Sequence, residues 1–106
     1  MDQRVVRLID RLKAHLRQTY GGGIKRVILY GSYARGKATE DSDVDVLVLV
    51  DASLDPSEVR DSLSDLLYDM LLDENQLVSV MVIPEERFEN YDSPFMLNVR
   101  KEGLAV

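Results

Sequence analysis

Asp43-Val44-Asp45 opens one apolar run, and a Gly-Ser pair, Gly31-Ser32, closes another, with ten residues between Ser32 and Asp43. Side chains two apart on a strand point the same way, so Asp43 and Asp45 present two carboxylates on one face. Each carboxylate raises the pKa of the other, a penalty that a divalent cation removes. Mg²⁺ takes a few carboxylate oxygens, waters and substrate phosphates. A glycine at a strand-to-helix turn lets the backbone approach a ligand closely. The first free N–H groups of the helix that follows attract an anion such as phosphate, and the Ser32 hydroxyl adds a donor. This is a phosphate cradle beside a cation site, a layout suited to holding a nucleotide through a divalent metal. Such ions can activate an attacking hydroxyl and steady a departing pyrophosphate. Two familiar patterns do not fit. A P-loop needs a longer glycine spacing and a terminal Lys-Ser/Thr. An EF-hand starting at Asp41 needs Gly and Glu where this chain has Val46 and Ala52.

The elements that must position these residues can be read from periodicity. Val5, Leu8, Ile9, Leu12 and Leu16 recur at helical spacing, and Gly21-Gly22-Gly23 ends that helix. His15 lies on it and reads as a surface or flank residue. Ile24–Tyr30 reads as a strand, and a short helix starts at Ser32. Val44–Val50 is a second strand, nearly all apolar after Asp45 and so covered on both faces. Asp55 as N-cap, Pro56 at the first position and Glu58 in a capping box start a helix that is expected to run to Leu72. It would bury Val59, Leu63, Leu66, Leu67 and Met70. Asp61, Asp65, Asp69 and Asp73 line its other face, either as a solvated face or as a surface for a basic partner. Leu77–Ile83 is a third strand, followed by helices over 85–91 and 94–103. The order α-β-α-β-α-β-α-α predicts helices packed on a small mixed sheet.

The totals narrow the function classes. A chain of 106 residues supports one compact domain and one core. With no cysteine, disulfides, thiolate catalysis and Cys-ligated metal sites are excluded. No signal peptide or membrane-spanning stretch is visible, so the expectation is a soluble, cytoplasmic protein with no membrane association. The net charge of −6 argues against direct nucleic-acid binding. That charge is uneven: residues 1–37 carry nine Lys or Arg and two acids, and residues 38–106 carry four and seventeen.

Between the Gly-Ser pair and the aspartates stand Ala34-Arg35-Gly36 and Ser42, completing a Gly-Ser-x-Ala-Arg-Gly…Ser-Asp-x-Asp pattern. With this pattern the chain resembles the minimal nucleotidyltransferase family of the polymerase-beta-like superfamily. Pro84-Glu85-Glu86-Arg87-Phe88, Ser93-Pro94-Phe95 and Glu102-Gly103 resemble the tail of short members, so the likeness spans nearly the whole chain. The resemblance implies one nucleotidyltransferase domain over 1–106, of the α/β (α+β) class, with a mixed sheet of three to five strands packed with helices. It implies transfer of a nucleoside monophosphate, AMP from ATP, to a hydroxyl with Mg²⁺ or Mn²⁺. By position, Gly31, Ser32, Arg35 and Ser42 would bind the nucleotide. Asp43 and Asp45 would be catalytic and hold metal. Short members of the family pair with small helical HEPN-type proteins in toxin–antitoxin systems, which implies a protein acceptor and an antitoxin-like role.

One departure from that pattern opens a second reading. Active members usually carry a third carboxylate on a neighbouring strand, and Leu77–Ile83 contains no acid. Leu77 or Ser79 stands near the expected place. The alternative is therefore a catalytically weak nucleotide-binding module that neutralises a partner by contact. The length also leaves no room for an acceptor domain, so the acceptor would be held by a loop, a second copy or a partner. Phe95 and Leu97 on the last helix either close the core or join copies in a homo-oligomer.

Overall fold

Val5, Leu8, Ile9, Leu12 and Leu16 form one buried face of helix α1 (Gln3–Tyr20) in the computed structural model, which describes residues 2–106. The Asp2 side chain caps α1 by accepting from the Arg4 N–H at 2.8 Å. A short 3-10 turn, Gly21–Gly23, leads into strand β1 (Ile24–Tyr30). Then follow the one-turn helix α2 (Gly31–Ala34), strand β2 (Val44–Val50), α3 (Pro56–Ser62) and α4 (Ser64–Glu74). The chain ends with β3 (Val78–Pro84), α5 (Glu85–Asn90), α6 (Pro94–Glu102) and β4 (Leu104–Ala105).

The four strands form one mixed sheet in the order β3-β2-β1-β4. β1 lies antiparallel to β2 and to β4, and β2 lies parallel to β3. β2 is central, and from Val46 to Val50 every residue is buried. On one face Val44, Val46, Val48 and Val50 pack with α1, α3 and α4 through Leu8, Leu12, Val59 and Met70. On the other, Ile28, Leu47 and Leu49 meet Phe88 of α5 and Met96 and Val99 of α6. Truncating Leu47 or Leu49 to alanine would cost about 2–5 kcal/mol through lost burial and the cavity left behind. At the Asp45 end and along β3 that second face stays partly open: Asp45 is half-buried and Ser79 and Met81 are exposed.

Three expectations change. The helix expected from Asp55 to Leu72 is two helices, broken at Leu63 (φ −89°, ψ −9°). The Ser62 hydroxyl donates to the Val59 carbonyl at 2.7 Å, and the Leu63 N–H turns to Arg60 O at 3.1 Å. A serine side chain thus takes the acceptor that a continuous helix would use. Asp61 therefore sits on α3, apart from Asp65, Asp69 and Asp73 on α4, although all four are exposed. The strand β4, two residues held by backbone pairing to β1, was not expected at all. On α6, Met96 and Val99 are buried, Phe95 is partly buried, and Leu97 is exposed. No helix among the described residues is long and apolar enough to cross a membrane.

Candidate active site

β1 ends at Tyr30, whose partner across the antiparallel ladder is Asp45. The next residue, Gly31, adopts φ +74° and turns the chain into α2. A methyl group on Gly31 would overlap the Asp45 Oδ2 oxygen and stand 3.2 Å from Asp45 Cγ. Glycine is required here twice, for the left-handed backbone and for the carboxylate packed against it. The glycine turn and the second aspartate, separated by a loop in sequence, are thus one unit in space.

Asp45 is the stressed group of this unit. Burial pushes its carboxyl above the ordinary aspartate range, the Asp43 charge adds to the rise, and the Arg35 guanidinium opposes it. Tyr30 is raised too, first by burial and then by the Asp45 charge beside it. Asp43 and Asp45 therefore fit a divalent cation, which would relieve the charge held against the glycine turn. No group of three or more His, Cys, Asp or Glu gathers as a metal site among the described residues. Further ligands would be waters and substrate phosphates, a donor set that suits Mg²⁺. Of the two residues expected near the third-acid position, the register selects Ser79, which pairs with Asp45, while Leu77 precedes β3.

The other predicted residues surround this centre. Ser32 lies half-buried in α2, and its carbonyl accepts from the Lys37 N–H at 3.0 Å. Arg35 caps α2 and is exposed, its guanidinium 3.6 Å from Glu102 Oε2 at the end of α6. Ser42 is engaged in a turn: its hydroxyl accepts from the Thr39 N–H at 2.9 Å, and its own N–H donates to Thr39 O at 3.1 Å. It shapes the loop that delivers Asp43. His15 is half-buried on α1.

Beside Gly31 lies an open pocket of about 230 Å³, lined by Tyr30, Gly31, Arg35, Phe95, Asn98 and Glu102. The Tyr30 and Phe95 rings meet edge to face with centroids 5.4 Å apart. Tyr30 and Gln76 are the residues that sequence reasoning missed here. The signal for Tyr30 was a polar-tipped aromatic at the last strand position before the glycine. Gln76, in the loop between α4 and β3, carried no local signal.

The arrangement has relatives. A protein of Methanocaldococcus jannaschii, provisionally named a protein adenylyltransferase, is 38% identical over 92 residues, covering 86% of this chain and 86% of the relative. The protein adenylyltransferase MntA of Thermococcus cleftensis is 39% identical over 46 residues, 43% of this chain and 44% of the relative. In three dimensions the chain matches a crystal structure of a toxin–antitoxin complex with AMP-PNP at TM-score 0.60 and 18% identity. That match covers 97% of this chain and 69% of the other, and it shows a shared fold. The profile of the nucleotidyltransferase domain matches residues 9–102, and the chain belongs to that family.

Proposed function

We propose that this chain transfers AMP from ATP to a hydroxyl group on a partner protein, acting as a single domain in the cytoplasm. The observation that carries the proposal is the contact of the Gly31 turn with the Asp45 carboxylate, with Asp43 just before β2 and its charge acting on Asp45. A triphosphate lying along the Gly31-Ser32 turn would have its charged oxygens beside both carboxylates. Arg35 would add a cation, exchanging its exposed pairing with Glu102 for a phosphate. Asp43 and Asp45 would hold Mg²⁺ or Mn²⁺, and the bound ion would neutralise the triphosphate and the charge that develops on transfer. In the reaction the acceptor oxygen bonds to the α-phosphorus, the bond from that phosphorus to the bridging oxygen breaks, and pyrophosphate leaves. The hydroxyl proton passes to water.

The protein acceptor is supported by the names of the relatives and by the toxin–antitoxin structure that shares the fold. The partner proposed is a small helical protein of the HEPN type, with the acidic α4 face (Asp65, Asp69, Asp73) meeting its basic surface. Ser79 in register with Asp45 favours one second reading, a nucleotide-binding module that neutralises its partner by contact. One experiment separates the two. The purified chain is incubated with α-labelled ATP, Mg²⁺ and the protein encoded beside it, and the partner is examined by mass spectrometry. Transfer predicts an AMP adduct on the partner that disappears with Asp45→Asn. Neutralisation of the partner with no adduct overturns transfer and supports the binding module.

A further inference from the structure

Gln76 is the one buried polar or charged residue among the described residues, 3% exposed. It follows Asn75, whose left-handed backbone (φ 51°) ends α4. Its side-chain amide makes three hydrogen bonds, two to distant segments and one to the neighbouring residue. Arg4 Nη2 on α1 donates to Gln76 Oε1 at 3.0 Å. Gln76 Nε2 donates to the Ser42 carbonyl at 2.9 Å and to the Leu77 carbonyl at 3.2 Å. A guanidinium has donors and no acceptor, so Arg4 holds the amide oxygen toward α1 and directs the amide N–H groups at the two carbonyls.

The Ser42 carbonyl belongs to the peptide group that leads directly into Asp43. On the other side of Asp43, the Val44 N–H donates to Leu77 O at 3.0 Å. Asp43 has an exposed side chain, yet its backbone is anchored on both sides by residues 76 and 77. A buried amide is retained only where its partners satisfy it, and here one of those partners is the backbone that carries a proposed metal ligand.

We infer that Gln76 is a positioning residue for Asp43: its amide fixes the Ser42–Asp43 peptide so that the Asp43 carboxylate stands ready beside Asp45. The inference rests on the reading of Asp43 and Asp45 as the holders of a divalent cation. Removing a partner that holds a metal ligand weakens metal affinity by about 10–100-fold.

The test is Mn²⁺ titration by calorimetry on the full chain, with thermal melts of each variant. Gln76→Glu keeps the size and accepts from Arg4, but it cannot donate to Ser42. Gln76→Met keeps the volume and removes every hydrogen bond. Both are expected to bind Mn²⁺ about 10–100-fold more weakly than wild type while still melting cooperatively. A folded Gln76→Glu or Gln76→Met chain with wild-type affinity overturns the inference. Wild type that binds no Mn²⁺ overturns the metal assignment of Asp43 and Asp45 instead. A readout free of substitutions is hydrogen exchange of the Gln76 side-chain amide in the wild type. Slow exchange is expected, and exchange as fast as that of a free glutamine overturns the positioning role even if neither variant folds.

Discussion

Replacing Gly31 with alanine acts on stability and on the site at once, and Gly36 separates the two effects. Gly31 sits at φ +74° and Gly36 at φ +70°, so alanine at either position is forced into the left-handed region. That strain costs roughly 1–2 kcal/mol. In a domain of this size each kcal/mol lowers the melting temperature by about 4–8 °C. A methyl on Gly36 meets nothing within 4 Å, and Gly36→Ala should lose stability alone. A methyl on Gly31 overlaps Asp45 Oδ2, and the carboxylate must move aside. A displacement of about 1 Å at a reacting centre costs on the order of 100-fold in rate. Gly31→Ala should therefore melt at or below the temperature of Gly36→Ala, bind Mn²⁺ more weakly, and transfer AMP about 100-fold more slowly. Thermal melts, Mn²⁺ calorimetry and the labelled-ATP assay read these quantities separately. Equal metal affinity and equal transfer in the two variants would refute the claim that Gly31 leaves room for Asp45.

Two further changes probe the carboxylates. The raised Asp45 pKa means that the folded chain holds this proton more tightly than the unfolded chain, so metal-free stability falls as pH rises through the raised value. Asp45→Asn should make the metal-free chain more stable than wild type near pH 7, and the advantage should vanish below about pH 4, where the carboxyl is protonated in both states. Melting temperatures across pH without metal check the sign, and a variant less stable at neutral pH contradicts it. Ser79→Asp places a third carboxylate in register with Asp45. It should lower metal-free stability at neutral pH and tighten Mn²⁺ binding, and calorimetry showing unchanged or weaker binding would rule out Ser79 as the neighbouring-strand position.

Much of the site was legible in the chain because its signals are local. Gly31 announces a turn at the end of an apolar run, and Asp45 falls on the strand that the valines announce, while Asp43, expected to share its strand face, lies one residue before β2. The same logic located β1, β2 and β3 to within a residue or two of their ends. It failed where a side chain outcompeted a local rule. The apolar spacing from Val59 to Met70 reads as one helix, and only the Ser62 hydroxyl on Val59 O shows why it breaks at Leu63. It failed again at β4, where two exposed residues become a strand because β1 offers a free edge.

The amino-acid order by itself determined which groups could meet a triphosphate and a cation, since residue type and a period of two depend on no distant contact. The tertiary structure alone decided how those groups support one another. Pairing of β1 with β2 brings Tyr30 opposite Asp45 and presses the Gly31 backbone against its carboxylate. Parallel pairing of β3 sets Ser79, not Leu77, in register with Asp45. Packing of α1 and the α4–β3 loop around one buried amide ties the Ser42 carbonyl, just before Asp43, to Gln76 and Arg4. Each of these contacts joins residues far apart in the chain, and sheet register and burial, which only the folded molecule possesses, are what bring them together.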